Sequence, residues 1–78
     1  MRSEEFTQYI VVDKGVRSGK PCIKGTRISV SDILQWLSEG ITISEILEDY
    51  PALEKVHIFA ALAFAARRED NTKLLAIA

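Results

Sequence analysis

The sequence predicts a small, mainly α domain: a tri-helical helix-turn-helix arrangement, homeodomain-like or winged-helix-like, preceded by one to three short β-strands. Three observations carry this. A β-branched and aromatic run at residues 9–13 gives way, from Ser29 onward, to apolar residues at helical spacing. Two capping signatures, Ser29 with Asp32 and Thr42 with Glu45, mark helix starts. The joints between the helical stretches are only about three or four residues, as a tri-helical motif needs.

Tyr9-Ile10-Val11-Val12-Asp13 reads as the first strand. Residues 15–21 hold Gly15, Ser18, Gly19 and Pro21 and read as a loop. Cys22-Ile23 and Arg27-Ile28 then flank Lys24-Gly25-Thr26, the pattern of a tight turn between two very short strands. In the first helix Val30, Ile33, Leu34 and Leu37 fall at i, i+3, i+4 and i+7, with Gly40 as the stop. The second helix has a hydrophobic staple in Ile41 and Ile46. Ile43, Ile46, Leu47 and Tyr50 form its apolar face, and Pro51 ends it. A third helix runs from about Glu54 to Arg68, with Ile58, Leu62 and Ala65 expected inward. Residues 9–68 are thus expected to form one domain, with 1–8 a loose N-terminus and 69–78 a tail in which Leu74, Leu75 and Ile77 are the docking candidates.

The chain has 78 residues, of which 47% are hydrophobic, too apolar a composition for a disordered segment. A lone core of this size rarely supplies more than roughly 3–5 kcal/mol. Cys22 is the single thiol and His57 the single imidazole, so neither an intramolecular disulfide nor a Cys/His zinc set is available. The remaining stabiliser is a partner chain, so a homodimer or a hetero-complex is expected. The acidic N-terminus lacks the apolar core of a signal peptide. The longest apolar run, Ile58 to Ala66, falls far short of the ~20 residues a spanning helix needs. A cytoplasmic protein without a membrane partner is expected.

Charge is segregated. Residues 14–27 carry Lys14, Arg17, Lys20, Lys24 and Arg27 with no acid, whereas 28–54 carry six acids and no base, although the whole chain sums to −1. The basic stretch fits an anion-binding loop for phosphates or an acidic partner. It equally fits a solvated loop that offsets the acidic helices beside it.

In a helix-turn-helix the second helix of the motif reads bases with polar side chains. Between Val56 and Ala66, however, only His57 is polar. A helix apolar all round is normally buried on both sides, so Val56, Ala60, Ala63 and Phe64, placed opposite the inward stripe, are expected to pack on another chain. Lys55 and His57 at its start are within reach of DNA, but Glu45, Glu48 and Asp49 on the preceding helix would repel phosphates. The basic segment and Lys55 are therefore the candidate contacts for nucleic acid or an acidic partner.

Other features are weaker. Gly15 to Lys20 has three residues between its glycines where a phosphate loop has four, and Pro21 replaces the hydroxyl residue, which excludes nucleotide hydrolysis. His57 has no nucleophile beside it, and Cys22 reads as a small buried thiol. Trp36 lies off the apolar face of its helix, where an interface role and core packing stand about even. Tyr9 and Val11 lie on a strand whose unpaired edge is free to pair with another chain. No catalytic, metal or cofactor site emerges, and no enzymatic activity is expected.

The stretch Gly19-Lys20-Pro21-Cys22-Ile23-Lys24-Gly25-Thr26-Arg27-Ile28 resembles the signature of the family named domain of unknown function 433. Ile46-Leu47-Glu48-Asp49-Tyr50-Pro51-Ala52-Leu53 and Ala60-Ala61-Leu62-Ala63-Phe64-Ala65 are similar to its two later motifs, so the resemblance covers about residues 9–67. It implies a prokaryotic helix-turn-helix-like protein acting as an antitoxin beside a PIN-like ribonuclease toxin. One departure is Glu54, which stands where the family usually opens its third helix with Ser or Thr.

Three functions compete on this basis. The first is a non-enzymatic antitoxin that neutralises a PIN-like ribonuclease and binds its own operator DNA. The second is a stand-alone homodimeric DNA-binding regulator, and the third a structural dimerisation module.

Overall fold

The two capping signatures fold as their spacing demands. In the computed structural model, which describes residues 5–70, the elements are β1 (Ile10–Val12), β2 (Pro21–Ile23), α1 (Val30–Ser38), α2 (Ile43–Asp49) and α3 (Lys55–Asp70). The Ser29 hydroxyl accepts from the Asp32 N–H at 3.0 Å while the Asp32 carboxylate accepts from the Ser29 N–H at 3.0 Å, closing a full capping box on α1. Thr42 and Glu45 repeat it on α2, at 2.9 and 3.1 Å. Gly40, at φ 88°, ends α1 in the left-handed conformation that glycine adopts without penalty. The N–H of Gly40 donates to Leu37 and that of Ile41 to Trp36, a Schellman closure of the helix end.

β1 and β2 pair antiparallel, with Ile10 opposite Ile23 and Val12 opposite Pro21. The strand expected over 9–13 is thus shorter, and one of its edges, expected unpaired, is occupied by β2. The second of the two very short strands, at Arg27-Ile28, does not form. The chain turns back with a single bridge between Cys22 and Ser29 and an Ile23 N–H to Ile28 C=O bond of 2.9 Å. Gly25 (φ 82°) and Thr26 make this turn: the Thr26 hydroxyl donates to the Ile23 carbonyl and accepts from the Ile28 N–H.

The core lies where α1 and α3 meet beneath the small sheet. Ile23, Ile33, Ile46 and Ile58 are fully enclosed, with Ile10, Val30, Leu53, Ala60 and Ala61 around them. Cys22 is a buried free thiol, as its sequence context predicts. The result is a small, mainly α domain of three helices preceded by two short strands. No helix among the described residues is long and apolar enough to cross a membrane.

Three expectations change. Leu62, expected inward, is 40% exposed, while Ala60, expected on an outward interface, is fully buried. Because every residue from Val56 to Ala66 except His57 is apolar, periodicity leaves the rotational phase of α3 undetermined. Tertiary packing sets that phase, burying the small Ala60 and Ala61 in the core. Second, α3 continues to Asp70, two residues past its expected end. Third, residues 5–8, expected as part of a loose end, form a 3-10 turn (Glu5–Gln8). It sets Phe6 edge-to-face on Phe64, with ring centroids 5.5 Å apart. Phe64, expected on the outer face, therefore packs within the chain. Residues 1–4 and 71–78, including Leu74, Leu75 and Ile77, lie outside the described residues.

The poor cap at Glu54 is compensated from the other direction. His57, at the third position of α3, accepts the Glu54 N–H on Nδ1 at 2.8 Å, while its ring meets Tyr9 edge-on at 5.8 Å. His57 is thus a satisfied structural residue. His57→Ala is expected to cost about 1 kcal/mol in urea denaturation, as loss of a cap does. A change below 0.3 kcal/mol, roughly the scatter of such measurements, would assign this bond no weight.

Candidate partner-binding surface

The basic segment is a shaped loop. Its first turn is set by Asp13, whose carboxylate accepts the Gly15 N–H at 2.8 Å and whose carbonyl accepts the Val16 N–H at 2.8 Å. Three successive residues then take positive φ: Arg17 at 52°, Ser18 at 58° and Gly19 at 84°. For Arg17 and Ser18 this left-handed conformation costs roughly 1–2 kcal/mol each. Such strain persists only where surrounding contacts impose it.

Arg17 supplies those contacts. One guanidinium nitrogen donates to the Arg27 carbonyl at 2.9 Å and to the Asp32 carboxylate at 3.0 Å, tying both ends of the basic segment to the start of α1. Asp32 is thereby shared between the helix cap and the loop. Partial burial pushes its pKa up. The Ser29 N–H, the Arg17 guanidinium and the Ser29 hydroxyl together outweigh this and hold the carboxyl below its ordinary range.

With Arg17 so engaged, the other four cations of the segment, Lys14, Lys20, Lys24 and Arg27, point to solvent. Lys14, Lys20, Lys24, Arg27 and Lys55 take no part in the Arg17–Asp32 ion pair. The loop also borders a cleft of about 670 Å³ between Lys20 and Pro21, the start of α1 and the last turns of α3. Val30, Leu34 and Phe64 give the cleft an apolar floor, with Lys20, Arg68 and Glu69 among its lining side chains. An apolar floor ringed by charges of both signs suits a partner segment carrying apolar and charged groups.

The other predicted contact residues are dispersed. Trp36 is half-buried and stacks on Tyr50, with centroids 4.5 Å apart and planes 14° from parallel. Tyr9 and Val11 are half-buried on the sheet side, and Val56 is half-buried at the start of α3. The large apolar side chains that α3 does turn outward are Phe59 and Leu62, each 40% exposed. Sequence reasoning missed Phe59 altogether. The signal was present as an i, i+3 pair on a helix too uniformly apolar to orient. Glu45, Glu48 and Asp49 are all exposed on α2, so the negative side of the molecule is as open as the positive one.

Residues 10–65 match the family described as Protein of unknown function (DUF433). No curated protein and no solved structure matches the chain.

Proposed function

The chain belongs to the DUF433 family, and from that premise we propose that it is a non-enzymatic antitoxin-type protein that binds and neutralises a PIN-like ribonuclease. The observation that carries this proposal is the basic loop. Its backbone is clamped by Arg17 in a strained conformation while Lys20, Lys24 and Arg27 remain solvent-exposed. A rigid cationic loop loses little conformational entropy on docking, and it is complementary to the clustered carboxylates with which a PIN-type nuclease holds its metal ions. Occupying that cluster would block metal binding and hence RNA cleavage.

Base reading by α3 in a major groove is disfavoured by the same surface. α3 presents Phe59 and Leu62 outward, and α2 exposes three carboxylates. Operator binding, where it occurs, is assigned to the basic loop through phosphate contacts.

The test is co-expression with a PIN-like ribonuclease, the partner class proposed. The combined variant Lys20→Ala/Lys24→Ala/Arg27→Ala is expected to retain wild-type thermal stability and lose nuclease inhibition. Full inhibition by the triple variant would overturn the role given to the loop. Failure of the wild-type chain to bind or inhibit that nuclease would overturn the antitoxin assignment itself. Retarded promoter DNA whose affinity falls steeply with salt would then favour the regulator.

A further inference from the structure

The outward side of α3 carries a seam with a pattern of its own. Lys55, Phe59, Leu62, Ala66 and Glu69 are all exposed, and they follow one another at spacings of four, three, four and three residues. That is the 3.5-residue repeat of a helix seam that packs along its length against a second helix. It is distinct from the buried side of the same helix, where Ile58 and Ala61 meet the core. Its C-terminal member, Glu69, lines the same cleft as Lys20 of the basic loop, whereas Lys55, Phe59 and Leu62 do not.

The seam is self-complementary in one orientation only. Leu62 is its midpoint, with Lys55 seven residues before it and Glu69 seven residues after. Phe59 and Ala66 flank the midpoint as a large and a small residue. Two copies laid antiparallel about Leu62 set Leu62 on Leu62, Phe59 over Ala66 of the second copy, and Lys55 beside Glu69 of the second copy, twice. Laid parallel, the same helices set lysine on lysine and glutamate on glutamate. Neither Lys55 nor Glu69 takes part in the Arg17–Asp32 ion pair.

We infer that the outer face of α3 is a homodimer seam, on which two copies of this chain pair α3 against α3 antiparallel about a two-fold axis at Leu62. A two-fold contact brings the same patch from both subunits together, which is what a seam reading cation–apolar–anion provides. A sixteen-residue helix pair is a small interface, so the dimer is reversible and concentration-dependent. The seam uses none of the loop cations Lys20, Lys24 and Arg27. The inference therefore goes beyond the antitoxin proposal and does not depend on it.

Sedimentation equilibrium of the full chain alone tests it. The wild-type chain is expected to move with concentration from 8.7 kDa toward twice that mass. Leu62→Glu places like charges at the two-fold axis and is expected to stay monomeric. Because Leu62 is a surface position, its circular dichroism is expected to match wild type. Lys55→Glu and Glu69→Lys are each expected to weaken the dimer about tenfold, since each turns two exposed attractions into repulsions. The double variant restores both attractions and is expected to dimerise like wild type. A wild-type chain that stays at 8.7 kDa up to the highest soluble concentration overturns the seam. So does an L62E chain with wild-type mass, and a double variant no stronger than the singles overturns the antiparallel pairing.

Discussion

Replacing Ile33 with alanine is expected to unfold the isolated chain, or to leave it only marginally folded. Ile33 is fully enclosed on α1, facing the core shared with α3 and the sheet. Removing a buried isoleucine side chain typically costs about 2–5 kcal/mol, from lost transfer energy plus the cavity left behind. A core of this size supplies roughly 3–5 kcal/mol, so the substitution removes most or all of the margin. Urea denaturation followed by circular dichroism checks this. Ile33→Val, which deletes one methylene, is expected to lower stability by about 0.5–1.5 kcal/mol with the cooperative transition intact. Val12→Ala, at a residue 64% exposed, is expected to stay within about 0.5 kcal/mol of wild type. Equal effects at Ile33 and Val12 would mean that the core lies elsewhere.

Asp32 is the second position of large effect, because one carboxylate closes the α1 capping box and holds Arg17. Asp32→Ala is expected to cost about 1–2 kcal/mol, the upper part of the range for a lost cap, since the ion pair is lost with it. Each side chain of that pair is about a third exposed, so solvent screening keeps the ionic share modest. The pH dependence has a definite sign. The folded-state pKa of Asp32 lies below its unfolded value, so its ionisation stabilises the fold at pH above the unfolded pKa of about 3.9. That contribution is lost as pH falls through the depressed folded value. Asp32→Asn, which keeps a hydrogen-bond acceptor without charge, is expected to be less stable than wild type by a constant amount at pH 5–8. The gap begins to narrow below about pH 4, where the unfolded-state carboxyl protonates, and closes only once pH has fallen below the depressed folded-state value.

The same substitution reports on the loop. Without its carboxylate anchor Arg17 no longer holds the left-handed turn. The amides of Gly19 and Lys20, bonded to Val16 and Arg17 at 3.2 Å, are expected to exchange with solvent faster than in wild type. Unchanged exchange at both would show that the turn is held by Asp13 and the Arg27 carbonyl alone.

Local chemistry was legible wherever a short-range rule had one solution. Ser29 with Asp32, Thr42 with Glu45, and Gly40 after Leu37 each specify a helix end through hydrogen bonds that span at most five residues, and each folds as read. The apolar face of α1 was equally legible, because Val30 and Ile33 alternate with polar neighbours and so define one direction. The basic segment was visible as a run of charge. Its role as a strained loop clamped by Arg17 was not, since the partner Asp32 lies fifteen residues away. Arg17, grouped by sequence with the other cations, is separated from them by that one contact.

The orientation of α3 marks the boundary most clearly. Composition determined that this helix has more apolar surface than one core consumes, and that the chain has neither a disulfide nor a Cys/His zinc set to stabilise it. Only the tertiary structure decided which residues face which way. Ala60 goes inward and Leu62 outward because packing of the assembled core, with Phe6 set on Phe64, fixes the rotation of a helix whose own periodicity does not. Hydrophobicity is non-directional, so a uniformly apolar helix gains nearly the same transfer free energy in any orientation. The choice among orientations falls to shape, and shape belongs to the assembled chain.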